Sequence, residues 1–222
     1  MKFRSLLLKE DFSRRLTNWS EGNVRDFPWR RTQDLYRILV AELLLRRTTA
    51  HAVERCYQEV VREFPTLIAL SKADELKLLR LLRPLGLKSR STAMKAVANE
   101  ILTRFGRIPT NEKELQSVRW IGSYTCAAVL CMGKNLPLPM VDSGVKRVIS
   151  RYCNDANLSL DDVISILKPV MSHTENRKIL NVALIDLSAL ICRPVSPRCA
   201  SCPLCEGCQW DEKNLSKTCQ SK

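Results

Sequence analysis

The chain has 222 residues at a formal net charge of +13, with 36 Lys and Arg against 23 Asp and Glu, ten cysteines and only seven glycines. With 45% hydrophobic residues it can bury a real core, which excludes a disordered chain, and its length allows one large domain or two modest ones. So large a basic surplus attracts phosphates at long range, so a polyanion is the first partner to consider, nucleic acid ahead of a membrane surface.

From the N-terminus, Met1 to Asp11 carries basic residues around only three leucines, too short an apolar stretch for a secretory signal. The longest uncharged apolar run, 121–133, stops at Lys134, short of the roughly 18 residues that span a bilayer. The expectation is a cytoplasmic, nucleoid-associated protein with no membrane partner. In that reducing compartment ten cysteines read better as metal ligands than as a disulfide framework, especially as five crowd between positions 192 and 208.

Along the chain, apolar residues recur at three and four: Leu35, Ile38, Leu39 and Leu43, then Val53, Cys56, Val60 and Phe64, then Leu76, Leu79 and Leu82, then Ala93, Val97 and Ile101. Glu42 interrupts the first of these runs, so it lies either on the wet side of its helix or partly desolvated. Breaks fall at Phe64-Pro65-Thr66, Arg83-Pro84-Leu85-Gly86, Gly106 to Pro109 and Leu136 to Pro139. Further helices are expected over 143–152, 159–171 and 176–191, the second opening after Ser159 with Asp161 and Asp162 in its first turn. The reading is all-α, about ten short helices without sustained strand alternation or internal repeat. Cys56, Cys126, Cys131 and Cys153 fall on apolar helix faces, where a small buried hydrophobe is the default. The end of the chain, from Gln209, is polar and expected to fray.

Cys192, Cys199, Cys202 and Cys208 form C-x6-C-x2-C-x5-C across an irregular, Pro-rich loop. Zinc ribbons usually pair two C-x2-C knuckles, and only one is present here. Ligation of a 4Fe-4S cluster by these four thiolates fits better, with zinc as the alternative and Cys205 as a bystander.

This spacing follows Trp120-Ile121-Gly122-Ser123-Tyr124-Thr125-Cys126-Ala127-Ala128-Val129 and Val141-Asp142-Ser143-Gly144-Val145-Lys146-Arg147-Val148. Together they resemble the helix-hairpin-helix DNA glycosylases of the endonuclease III and adenine glycosylase group, over about 12–208. Phe27-Pro28-Trp29-Arg30, the run from Glu42 to Ala50 and the one from Tyr124 to Val129 look most like the T/G-mismatch thymine (and uracil) DNA glycosylases. The resemblance implies two all-α lobes, with DNA bound across the cleft between them: a six-helix barrel over 28–137, and an iron-sulfur cluster domain from 1–27 and 138–210. A polar tail, 211–222, remains. It further implies a monomer whose partner is double-stranded DNA containing a mismatch.

What the resemblance implies for single residues follows from their chemistry. Asp142 opens a helix, where N-capping is the ordinary role; in the family the matching carboxylate stabilises the oxocarbenium-like sugar as the base departs, or helps activate water. Glu42 matches a pocket glutamate that binds or protonates the flipped base. Tyr124 stands where bifunctional members carry a Schiff-base lysine; a phenol forms no imine, which implies a monofunctional enzyme without β-lyase activity. Arg46 and Arg47 are placed near the void left by the flipped nucleotide, and Leu87 at the wedge. Arg90 stands one position before a basic residue of the family. The family's hairpin, L-P-G-V-G, is here Val118-Arg119-Trp120-Ile121-Gly122, so only the second glycine remains and Arg119 supplies charge where amide contacts are lost. Arg193 and Arg198 are expected to contact phosphate. The alternatives are an adenine glycosylase acting on A:8-oxoguanine or A:G, and a non-catalytic mismatch-DNA-binding protein. The adenine enzymes usually carry an extra C-terminal domain, whereas this sequence ends fourteen residues after Cys208. An iron-sulfur electron carrier would have no use for the large basic body.

Overall fold

The computed structural model describes residues 10–86 and 89–210. Among them are eleven α-helices and no strand: α1 Glu10–Ser20, α2 Leu35–Leu45, α3 Ala50–Glu63, α4 Leu67–Ser71, α5 Glu75–Leu82, α6 Ser89–Phe105, α7 Glu112–Gln116, α8 Ser123–Lys134, α9 Ser143–Cys153, α10 Leu160–Ser172 and α11 Arg177–Leu190. This is one more than the expected ten; α4 and α7 are little more than single turns, too short for the apolar repeat to announce them. No described helix is long and apolar enough to cross a membrane.

The chain forms two compact units, one of residues up to Arg25 and from Pro137, the other from Asp26 to Leu136. In the second unit α2 is the central element. Asp34 starts it by accepting the Tyr36 and Arg37 amides, and Ile38 to Leu44 are buried without interruption, so the helix is wrapped by α3, α6 and α8. Gly133 lets α8 approach α2 closely: a Cβ there would stand 2.4 Å from Leu35 Cδ2. The Phe27-Pro28-Trp29-Arg30 motif is an aromatic anchor, with Phe27 stacked on Trp29 at 4.8 Å and Trp29 edge-on to Tyr57 at 5.3 Å.

In the first unit α11 is the spine, packed by α1 and α9, with α10 on α9. Phe12, Leu16, Val145, Ile149, Leu167, Leu184 and Leu187 fill the interior. Helix α10 opens after Ser159 with its acidic first turn as expected, and the structure adds a capping box in which Ser159 and Asp162 exchange side-chain to backbone bonds. Cys56, Cys126, Cys131 and Cys153 are buried as expected. Gln209 and Trp210 do not fray. The Gln209 amide donates to the Tyr152 carbonyl at 3.0 Å, and the Trp210 ring lies 4.1 Å from the Arg151 guanidinium. Leu87 and the tail 211–222 lie outside the described residues.

Candidate functional site

Asp142 is the N-cap of α9. Its Oδ1 accepts the Val145 amide at 2.7 Å, which satisfies one orphan donor and fixes the rotamer, while Oδ2 has no partner among the described residues. The capping role and a chemical role are therefore compatible in one half-buried carboxylate. Asn181 of α11 sets the path of the chain into that cap. Buried, it donates through Nδ2 to the Leu138 carbonyl at 3.0 Å and accepts the Met140 amide at 2.7 Å. Gly144 brings α9 against α11, since a Cβ there would fall 2.5 Å from Ser188 Oγ and 3.2 Å from Asp142 Oδ1. Below this, Arg147 donates to the Cys192 and Ser188 carbonyls, both at 2.9 Å, closing the end of α11.

Glu42, Tyr124, Arg46, Arg47, Arg119 and Gly122 all belong to the second unit. Of the two environments open to Glu42, the structure selects burial, at 7% exposure among the aliphatics of α2. Tyr124 is half-buried in the first turn of α8, the helix that packs on α2. Arg46 and Arg47 are exposed at the end of α2, where Arg47 turns the chain with a positive φ of 52°. Arg90 reaches the same turn from α6 and donates through Nη2 to the Arg46 carbonyl. It is buried, its Nη1 has no hydrogen-bond partner, and burial lowers its pKa. Arg119 and Gly122 are exposed in the turn between α7 and α8.

The cysteine segment belongs to the first unit. Cys192, Cys199, Cys202 and Cys208 line one small apolar cavity, partly open to solvent, with Val148, Leu187 and Leu204, and Cys205 lies on its wall. None of those four is in a disulfide. Burial, reinforced by Cys192, Cys208 and Cys199, pushes the Cys202 thiol up to about 12. Arg151 Nη1 stands 3.5 Å from Cys192 Sγ and donates to the Arg193 carbonyl at 2.8 Å. No group of three or more His, Cys, Asp or Glu among the described residues is disposed to hold a single metal ion. Arg193 is half-buried and donates to the Ser196 carbonyl at 2.7 Å; Arg198 is exposed.

Reasoning from sequence did not find Asn181, or the pair Arg25–Asp186 that anchors the loop after α1. Asp186 is fully buried and accepts the Arg25 amide at 2.6 Å and its guanidinium at 2.5 and 3.0 Å. The sole local signals are an Asp and an Asn inside an apolar helix.

This arrangement belongs to a known class. The chain is a member of the HhH-GPD superfamily of base excision DNA repair proteins, whose family model matches residues 40–190. It is 33% identical to the thymine/uracil-DNA glycosylase of Methanothermobacter thermautotrophicus over 203 residues, 89% of this chain and 91% of that one. A solved thermostable thymine-DNA glycosylase matches with a TM-score of 0.86 at 31% identity, over 96% of this chain and 98% of its own. The adenine DNA glycosylase of Mycolicibacterium smegmatis is 31% identical over 88% of this chain, but over 68% of its own length.

Proposed function

We propose that the protein is a monofunctional DNA glycosylase that extrudes thymine, or uracil, mispaired with guanine and hydrolyses its N-glycosidic bond. The observation that carries this reading is the Asp142 carboxylate, held by the Val145 amide through one oxygen while the other has no partner among the described residues. As the base departs, the sugar becomes cationic, and a fixed anion lowers the barrier because it need not reorganise. The similarity to a thymine/uracil enzyme over nearly the whole of both chains supports thymine or uracil.

In this reading Asp142 stabilises the sugar cation or orients water, and Glu42, desolvated within α2, binds or protonates the departing base. Tyr124 lines the base pocket and, being a phenol, forms no covalent link to the sugar, so strand cleavage by β-elimination is absent. Arg46, Arg47, Arg119, Gly122, Arg193 and Arg198 engage DNA, a monomer sufficing. The residues from 28 to 137 serve as the barrel domain, and 1–27 with 138–210 as the cluster domain.

The donor set around the cysteine cavity fits a 4Fe-4S cluster: four thiols, apolar walls and no competing carboxylate in the lining. Cys192, Cys199, Cys202 and Cys208 would hold it. A single tetrahedral zinc ion needs its sulfurs about 3.8 Å apart, given a Zn–S bond of about 2.3 Å. A four-iron cubane would spread its thiolates more widely, around one shared cavity. A cluster held there would tie together the loop that carries Arg193 and Arg198.

Single-turnover assays on T:G, U:G, A:G and A:8-oxoguanine duplexes test the assignment. Base release from T:G or U:G is expected, and its loss in Asp142→Asn with duplex binding retained. Release from the adenine duplexes alone would make the protein an adenine glycosylase; tight mismatch binding without release from any duplex would make it a non-catalytic reader.

A further inference from the structure

The hairpin turn between α7 and α8 contains a residue of unexpected type in an unexpected conformation. Trp120 has a φ of +74°, in the left-handed region where a side chain is disfavoured and glycine is the usual occupant. Among the described residues it is the one aromatic in the set of exposed large hydrophobics, at 43% exposure. A strained backbone carrying an exposed indole persists when its surroundings over-determine it and is a pointer to function.

Those surroundings are specific. From α6, Arg104 donates to the Ser117 carbonyl at 2.9 Å and to its hydroxyl at 2.7 Å, and Glu100 accepts the Arg119 amide at 3.0 Å. Inside the turn the Ile121 amide donates to the Val118 carbonyl at 3.1 Å. From the end of α2, Arg46 Nη1 donates to the Trp120 carbonyl at 3.2 Å. The turn is thus clamped from two helices and holds the indole outward. Two guanidiniums lie over the ring, Arg46 at 5.5 Å and Arg119 at 5.1 Å from its centroid, and neither side chain is engaged by a carboxylate among the described residues.

We propose that Trp120, with the Arg46 and Arg119 guanidiniums over its ring, is a stacking site for an unstacked nucleobase of DNA. A flat π-face offers an exposed indole the largest contact at low entropic cost, and the phosphates on either side of a base draw the two guanidiniums off the ring to open that face. An apolar protein surface would instead leave both guanidiniums without an anion. The proposal rests on the glycosylase reading for the identity of its partner and adds a base contact to a turn whose amide contacts are reduced.

Binding is measured by fluorescence with three probes: a single-stranded thymidine oligomer, a base-free sugar–phosphate oligomer of the same length, and a fully matched duplex. The protein has four tryptophans, so the signal of Trp120 is the difference between the wild type and Trp120→Phe. The thymidine strand is expected to quench it and the base-free strand to leave it unchanged. Trp120→Gly, which relieves the backbone, should remain folded and lose about tenfold in affinity for the thymidine strand, the scale of one base–aromatic stack. Trp120→Phe should retain most of that affinity, and all variants should bind the base-free strand and the matched duplex alike. Equal loss on the base-free strand would reduce the residue to turn geometry, and no loss on the thymidine strand would end the proposal. Neither result depends on base release, so stacking without release from T:G would refute the enzyme reading while leaving this site standing.

Discussion

Gly144 and Ser188 meet where α9 crosses α11, and the space between them has no room for a methyl group. A Cβ on Gly144 would approach the Ser188 hydroxyl to 2.5 Å, its Cβ to 3.1 Å and Asp142 Oδ1 to 3.2 Å. Ser188 is itself engaged, its hydroxyl donating to the Ile185 carbonyl at 2.7 Å. The approach of the two helices therefore fixes where the Asp142 carboxylate stands.

Gly144→Ala is expected to destabilise by about 1–3 kcal/mol, the usual cost of forcing an extra carbon into a packed interior, and to slow base release by more than the lost stability explains. Adding Ser188→Gly removes both close atoms and should restore most of the activity. Thermal melts and single-turnover rates on the T:G duplex check this; a double variant no faster than Gly144→Ala would show that the crossing does not position Asp142.

Asp142 offers a cleaner separation of structure from chemistry. Asn caps a helix as well as Asp does, so Asp142→Asn should keep the bond to the Val145 amide and melt within about 0.5 kcal/mol of the wild type. Asp142→Ala loses the cap and should cost about 1 kcal/mol. Both should lose base release. If only Asp142→Ala were slow, the cap alone would matter.

What could be read from the sequence was local. The N-cap at Asp142, the start of α10 after Ser159 with Asp161 and Asp162 in its first turn, and the burial of Cys56, Cys126, Cys131 and Cys153 each depend on neighbours within a turn or on one helical face. Glu42 could not be decided by periodicity, because α2 is covered on nearly every side and has no wet face at that position. Asn181 and Asp186 were illegible for another reason. Their partners stand 41 to 43 and 161 residues away, and only the packing of the first unit brings them together. Trp120 was visible as a departure from a glycine, but its left-handed backbone and its two arginines required the fold of α2 and α6 around the hairpin.

The Arg25–Asp186 pair predicts an asymmetry. Asp186 is fully buried, so Arg25→Ala would remove the guanidinium that balances its charge while leaving the bond to the residue-25 amide, and should cost about 3–5 kcal/mol. Arg25→Met with Asp186→Leu replaces the pair by apolar groups and should recover much of that loss. Denaturant midpoints of the two variants decide it; equal destabilisation would mean that Asp186 is held mainly by other contacts.

Asn181→Asp should convert a structural amide into a pH-dependent one. The new carboxyl keeps an acceptor for the Met140 amide, but when ionised it faces the Leu138 carbonyl without a donor in an interior where Asn181 is 1% exposed. Its folded pKa is therefore raised above the unfolded value of about 3.9. The sign follows: the variant approaches wild-type stability below about pH 4 and loses stability as pH rises, by up to about 1.4 kcal/mol per unit until the folded carboxyl ionises. Melting temperatures of variant and wild type that run parallel from pH 4 to 7 would exclude a buried carboxyl there.

The proposed ligands differ from the other cysteines in position. Cys192, Cys199, Cys202 and Cys208 share a cavity under Arg151 and Trp210, whereas Cys56, Cys126 and Cys131 are buried hydrophobes in the second unit and Cys153 is one in the first unit. Protein purified without oxygen should be brown, with four irons and four acid-labile sulfides per chain if a 4Fe-4S cluster is held. Replacing any one of these four cysteines by Ala should then remove most of the colour and lower the melting temperature, since the loop from 192 to 208 has little regular structure of its own beyond one 3-10 turn. Cys205→Ala and Cys131→Ala should keep both iron and colour. Stoichiometric zinc in colourless wild-type protein would replace the cluster by a tetrahedral ion. Loss of iron on changing Cys205 would move it from the wall of the cavity into the ligand set.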